Sequence, residues 1–203
     1  ARREKLLAIN KQAARTFHKW LYEPEGAQGL EYLRKRGLSQ RTLTRFGLGF
    51  APNRWDALIE ALAQEGYDKR DLLDAGLAVN NKDGRIYDRF RNRVMFPIID
   101  IRGEVIGFGG RVMDDSTPKY LNSPDTPVYN KSRNVFALNI AKKSKAGRVI
   151  LTEGYMDTIS LHQAGFDSAV ATLGTAITAT QARLIGRMGK SEVILSYDAD
   201  GPG

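Results

Sequence analysis

An α+β unit of helices plus a small mixed sheet, followed by an α/β unit, is the fold class this sequence predicts, on three observations. Through roughly the first 76 residues, apolar side chains recur at three- and four-residue spacing, the period of amphipathic helices. From about residue 77 the pattern shortens to brief apolar runs broken by Asn, Asp and Gly, as in hairpins. From about residue 147, the runs Val149-Ile150-Leu151, Ala169-Val170-Ala171 and Val193-Ile194-Leu195 alternate with helix-like stretches. That is the rhythm of a β-α-β-α-β unit, whose parallel strands need crossover helices and bury both faces. The expected domains are a basic part over 1–146 and the first part of an α/β domain over 147–203.

Each element has its own reason. Leu6, Ile9, Ala13, Phe17, Trp20 and Leu21 form one apolar helical stripe. Leu30 and Leu33 begin a shorter helix that runs into Arg34-Lys35-Arg36 and stops at Gly37. Asn53 is placed to cap a helix through Trp55, Leu58, Ile59 and Leu62 to Gly66. A further turn or two around Leu72 and Leu73 ends at Gly76. Phe17, Trp20 and Trp55 are expected in the core and His18 at the surface. His162 sits mid-helix with no catalytic partner in view, and Tyr155 is expected to pack against the sheet. Asn80-Asn81-Lys82-Asp83-Gly84 is a turn between two short arms. Residues 94–101 and 104–108 form a second hairpin, in which Pro97 argues for an edge or a bulge. Residues 114–130, rich in Pro, Ser, Asn and Asp, are expected to be a long functional loop. The chain opens inside a helical pattern and closes just after an acidic pair, so it is expected to be a piece of something longer.

Charge narrows the partners. Lys and Arg total 31 against 23 Asp and Glu, a formal net charge of +8 with pI near 9.7. Such a balance favours polyanions, and an acidic pocket inside a basic protein narrows them to nucleic acid or nucleotides. With no cysteine, disulfides, thiolate zinc sites and cysteine nucleophiles are excluded, and two histidines exclude a His-rich metal site. No apolar run approaches the ~18 residues of a membrane span, so a cytoplasmic protein with no membrane partner is expected.

The chemistry sits in four carboxylates. Glu153 and Asp157 follow the first apolar run of the α/β part, and Asp198 and Asp200 follow the third. Carboxylates at strand C-termini of such a sheet project into the crevice where open α/β folds place ligands. They would repel one another unless a cation sits among them, and oxygen-only ligands suit Mg²⁺ or Mn²⁺. Either pair alone reads as structure, Asp157 as a complement to a helix dipole. The second lacks the third oxygen residue that an EF-hand places before its glycine, and the first strand lacks a Gly-x-Gly-x-x-Gly. Their joint order is specific.

Among the basic residues, Arg89, Arg91 and Arg93 alternate, so an extended chain would point all three to one side as a positive stripe. Arg111 follows Gly107-x-Gly109-Gly110, where missing side chains let backbone or phosphate approach. Lys119 beside Tyr120 suits a phosphate and a stacked base.

Glu153-Gly154 after one strand and Asp198-x-Asp200 after a later one resemble the Toprim domain (Rossmann-like) shared by primases, topoisomerases and some nucleases. Leu151-Thr-Glu-Gly-Tyr-Met-Asp157 and Ser196-Tyr-Asp-Ala-Asp-Gly201 are close to the form in bacterial replicative primases of the DnaG type. Tyr32-Leu-Arg-Lys-Arg-Gly-Leu38, Tyr87 to Ile98, Val105 to Arg111 and Lys119 to Pro124 resemble the same family, so the likeness runs through essentially the whole chain. It implies that Glu153, Asp198 and Asp200 hold divalent metal with Asp157 close by, and that Arg36, Arg111, Lys119 and Lys131 line a basic groove near the active site. It further implies a truncated Toprim domain, since the family has another Asp-x-Asp after the next strand. The implied function is synthesis of short RNA primers on single-stranded DNA from ribonucleoside triphosphates, passing through an RNA–DNA hybrid. Zinc, and the contact with the replicative helicase, would belong to domains outside this sequence. The rivals are a Toprim nuclease or topoisomerase fragment, which would need a cleavage signal, and a module that only binds single-stranded DNA.

Overall fold

The computed structural model describes residues 1–174 and 176–198. They form two compact units: residues 1–98 with 104–129, and residues 99–103 with those from Asn130 onward.

The first unit is built on α1 (Arg2–Leu21), whose Leu6, Ile9, Ala13, Phe17, Trp20 and Leu21 are all buried, as the stripe predicts. After α2 (Ala27–Lys35) the chain turns at Gly37, where φ is +82°. The helix α3 (Gln40–Phe46), which the periodicity does not reveal, is capped by the Ser39 hydroxyl accepting from the Thr42 N–H at 3.2 Å. Next comes β1 (Gly49–Ala51), a strand inside a stretch expected to be helical. A Cβ on Gly49 would stand 2.6 Å from the Phe17 backbone, so only glycine lets this strand lie against α1. Two helices, α4 (Ala57–Gln64) and α5 (Lys69–Asp74), lead to the hairpin β2 (Ala78–Asn80) and β3 (Ile86–Asp88). The longer strands β4 (Arg93–Ile99) and β5 (Val105–Arg111) follow, then β6 (Tyr120–Asn122).

Strand order in the larger sheet is β1-β4-β5-β6, antiparallel in the β1/β4 and β5/β6 pairs. The Phe17 ring meets Phe108 of β5 edge-on at 5.3 Å, joining helix and sheet in one core. Two expectations change here. Pro97 lies in an interior strand, because three-residue β1 pairs only with 93–95 and asks nothing of position 97. The long loop is shorter than expected, because Tyr120–Asn122 add a strand alongside β5, with Arg111 opposite Tyr120.

The second unit has a 3₁₀ turn at Lys131–Arg133, then α6 (Leu138–Ala141), β7 (Arg148–Thr152), α7 (Tyr155–Gln163), β8 (Ala169–Ala171), α8 (Ala179–Gly186) and β9 (Glu192–Leu195). Its sheet has the order β8-β7-β9, parallel throughout, with Ile150 opposite both Ala169 and Ile194. The expected β-α-β-α-β unit is thus present. Val135, Leu138 and Ala141 share a core with Val149, Leu151, Val170 and Ile185. The compact unit gathers the residues from Asn130 onward, because the apolar side chains before β7 have this sheet to cover. Tyr155 is buried and meets Phe136 edge-on at 4.8 Å, and the His162 Nε2 lies 2.8 Å from the Ala169 carbonyl. His18 is only half-buried, its Nδ1 lying 2.7 Å from the Leu48 carbonyl.

Candidate functional site

In the second unit, β7 delivers its chain to Glu153 through a turn held by hydroxyls. The buried Thr152 and Thr158 Oγ1 atoms are 2.7 Å apart, so one hydroxyl donates to the other, which in turn donates to a backbone carbonyl, Val170 O at 3.2 Å from Thr152 or Gly154 O at 2.9 Å from Thr158. Gly154, extended, stands before α7, so Asp157 falls in the first turn of that helix as expected. On the neighbouring strand β9, the Ser196 N–H still donates to the Leu151 carbonyl at 2.8 Å, and Asp198 follows two residues later. Glu153 and Asp198 thus leave adjacent parallel strands at their C-terminal ends, the position that open α/β sheets use for ligands.

Two clefts meet at Tyr197. One of about 290 Å³ is lined by Glu153, Thr172, Gly174 and Ala176; the other, of about 300 Å³, by Asp157, Ser160, Ser196 and Asp198. Burial pushes the Asp157 carboxyl above its ordinary range, and the charge of Asp198 pushes it further the same way. Two carboxylates facing one cleft and repelling each other are what a hard cation would relieve, so the donor chemistry fits Mg²⁺ or Mn²⁺. Among the described residues, no group of three acids or histidines is assembled closely enough to hold an ion. Asp200, the remaining expected ligand, lies outside the described residues.

The basic residues of the first unit do not form a stripe. Residues 89–92 are a loop with Asn92 at φ +51°, so the alternation of an extended strand is broken and the three arginines diverge. Arg89 donates through Nε and a terminal nitrogen to the Asn122 carbonyl at 3.1 and 2.7 Å. Arg93, 7 % exposed, donates to the carbonyls of Gly110, Pro118 and Lys119, and so anchors the far end of the loop before β6. Burial pulls both guanidinium pKa values below the ordinary one. Arg91 instead stacks, its guanidinium carbon 4.3 Å from the Trp55 ring centroid and 5.1 Å from that of Tyr87. Trp55 is not core: it is 64 % exposed, because the helix starts only at Ala57 and leaves it on the preceding turn. The expected Asn53 cap is likewise replaced, since the Asp88 carboxylate accepts the first helical N–H groups of α4.

Arg36, at the C-terminus of α2, and Arg111, at the end of β5, both place their guanidinium carbons 5.1 Å from the Tyr32 ring centroid. Arg111 is only 7 % exposed, also lies 5.6 Å from the Tyr120 centroid, and donates to the Val112 carbonyl. Among the described residues, no carboxylate stands within ion-pair distance of Arg36, Arg91, Arg93 or Arg111. A cation buried against aromatic faces with no counter-charge is costly in isolation and suited to an incoming anion. The glycines before Arg111 serve packing rather than ligand approach: a Cβ on Gly110 would meet Arg93 and Phe90 at 3.0 Å. Tyr120 opens β6, and Lys119 is the loop residue just before it. In the second unit, Lys131 opens a turn clamped from α8, with Thr178 Oγ1 donating to Ser132 O at 2.6 Å and Gln181 Nε2 to Lys131 O and Asn134 O, each at 3.0 Å.

Sequence reasoning missed Tyr32, Trp55 and Asp88. For Trp55 the available signal was Pro52-Asn53 just before it, which favours a turn over a helix.

The family described as DNA primase catalytic core, N-terminal domain, matches residues 16–142, and a Toprim-like family matches residues 150–203. The DNA primase of Clostridium acetobutylicum is 49% identical over 201 residues, which is 98% of this chain and 33% of that protein. The DNA primase of Deinococcus radiodurans is 50% identical over 177 residues, 86% of this chain and 31% of that protein. A solved DnaG primase catalytic domain bound to ssDNA has a TM-score of 0.90 and 43% identity, covering 98% of this chain and 64% of that one. The chain spans about a third of the length of the curated relatives it matches. With both segments matched in order along it, this chain belongs to the DNA primase catalytic core family.

Proposed function

We propose that this chain is the part of a bacterial DNA primase that polymerises ribonucleotides, joining ribonucleoside triphosphates into short RNA primers on a single-stranded DNA template. The observation that carries the reading is Glu153 and Asp198 at the C-terminal ends of adjacent parallel strands, in a chain whose preceding segment belongs to the primase catalytic core. Glu153, Asp198 and Asp200 would hold divalent cations, Mg²⁺ or Mn²⁺, with Asp157 close by. Such ions supply Lewis-acid activation of a primer 3′-hydroxyl and neutralise the departing pyrophosphate.

The chain's own residues do the rest. Arg36, Arg111, Lys119 and Lys131 bind phosphate groups of nucleotide and RNA–DNA hybrid. Arg89 and Arg93 act through the carbonyls they hold, keeping Asn122 and the Pro118–Lys119 segment in place. Trp55, exposed, with Tyr87 edge-on at 5.3 Å and Arg91 stacked on it, offers a face to an unpaired base. A strand held this way is gripped by charge and stacking, so binding weakens steeply with salt. In this reading the protein works in the cytoplasm at the replication fork, and helicase contact and zinc belong to other parts of the parent protein. No helix among the described residues is long and apolar enough to cross a membrane.

The test is Asp198→Ala in the full-length parent, with primer synthesis and template binding measured separately. Synthesis is expected to collapse while binding to single-stranded DNA persists. Undiminished synthesis would take Asp198 out of the metal site, and lost binding with metal affinity intact would give it a template role instead.

A further inference from the structure

Asp88 is buried, at 2 % exposure, in the motif between Tyr87 and Arg89, and every polar group it owns is spent on the surroundings of Trp55. Its two carboxylate oxygens accept the N–H groups of Leu58 at 2.8 Å and Ile59 at 3.1 Å, in the first turn of α4. Its own N–H donates to the Trp55 carbonyl at 2.7 Å, and its carbonyl accepts from the Arg91 guanidinium at 2.6 Å. One residue therefore ties together the turn that carries Trp55, the helix that follows that turn and the cation stacked on the indole. An α-helix leaves its first N–H groups without intrahelical partners, and here a strand side chain thirty positions away in sequence fills them in place of a local cap. Asp56, at the N-cap position, makes no side-chain cap bond.

We infer that Asp88 is a positioning residue for nucleic-acid capture: it sets Trp55 and Arg91 face to face so that an unpaired base can stack beside a guanidinium. Its side chain is too buried to touch the strand itself. The inference rests on the stacking role given above to Trp55. Removing the carboxylate frees the start of α4 from β3, and the turn bearing Trp55, only two residues upstream, moves with it. Arg91 and Trp55 then keep only the main-chain bonds of residue 88 and lose the carboxylate's hold on the helix behind the turn, which loosens their spacing. The expected consequence is a loss of about tenfold in affinity for unpaired DNA, the scale of one stacked base.

The experiment measures binding of a labelled short oligothymidylate to this chain by anisotropy, below the melting temperature of each protein. The set is the wild type, Asp88→Ala, Asp88→Asn, Trp55→Ala and the double variant Asp88→Ala/Trp55→Ala. Asp88→Ala should weaken binding about tenfold in the wild-type background and hardly at all in the Trp55→Ala background, since both act through one platform. Asp88→Asn, whose amide accepts only one of the two N–H groups, should fall between. Should Asp88→Ala fail to melt cooperatively, the same cycle is run with Asp88→Asn. Trp55→Ala binding as tightly as wild type would refute the stacking role itself. Weakened Trp55→Ala with unaltered Asp88 variants would overturn the positioning role alone. Equal weakening by Asp88→Ala in both backgrounds would also overturn it, because Asp88 would then act elsewhere.

Discussion

Tyr32 offers the sharpest separation of contributions, because its ring and its hydroxyl have opposite effects. The ring carries two guanidiniums at 5.1 Å, one exposed on Arg36 and one buried on Arg111. The hydroxyl is buried with no hydrogen-bond partner. Tyr32→Phe keeps the ring and removes the orphan group, whose burial costs about 1–3 kcal/mol. A gain of about 1 kcal/mol is expected, or about 2–4 °C in melting temperature for a chain of this size. Tyr32→Leu loses both stacking contacts, about 0.5–1 kcal/mol for the exposed cation and about 2 for the desolvated one. Recovery of the hydroxyl cost offsets part of this, leaving a net loss of about 2 kcal/mol. Urea titration measures all three proteins, and binding of inorganic tripolyphosphate by calorimetry reports whether the two cations stay in place. Tyr32→Phe should bind tripolyphosphate like the wild type, and Tyr32→Leu several-fold more weakly. Tyr32→Phe less stable than wild type by 1 kcal/mol or so would mean that the hydroxyl has a partner. Tyr32→Leu as stable as wild type would mean that the two cations gain nothing from the ring.

Three further outcomes follow from single residues. Asn10 is fully buried on the apolar stripe of α1 with both amide atoms unpartnered, so Asn10→Leu, close in shape, should raise stability by about 1–2 kcal/mol in urea titration. Gln181 is fully buried and gives its Nε2 to the Lys131 and Asn134 carbonyls; Gln181→Leu strands both and should cost about 2–4 kcal/mol, read by thermal melting. Burial pushes the Asp88 carboxyl up to about 7 against the pull of the Leu58 and Ile59 N–H groups, with the nearby Asp56 charge raising it further and Arg91 lowering it. The folded state therefore holds a proton that the unfolded chain releases at the ordinary carboxylate pKa, and stability is greatest below that value and declines as pH rises towards 7. Between pH 5 and 8 the wild type should lose about 2–3 kcal/mol relative to Asp88→Asn, which does not titrate, and parallel urea curves across that range would refute the assignment.

Much of this molecule follows from local pattern. The stripe from Leu6 to Leu21 can bury itself only as a helix, and it does. The runs Val149–Leu151, Ala169–Ala171 and Val193–Leu195 are too short for helices and too separated for hairpins, so parallel pairing is what remains, and β7, β8 and β9 realise it. That topology alone carries Glu153 and Asp198 to neighbouring strand ends. Asp157 in the first helical turn follows from the glycine before it.

What the sequence left open depends on contacts between segments far apart in the chain. The alternation of Arg89, Arg91 and Arg93 is real, but a left-handed residue at Asn92 and accepting carbonyls on β5 and β6 send them three ways. Trp55 reads as core until Asp88, thirty-three positions later, caps α4 and leaves the indole outside. Strand β1 has only three residues and exists because β4 pairs with it and α1 accepts its glycine at close range. Hydrophobic period is a property of neighbours along the chain, and it determined where helices and parallel strands form. Where a cation or an indole points is decided by which distant carbonyl, carboxylate or ring satisfies it, and only the folded arrangement brings those partners together.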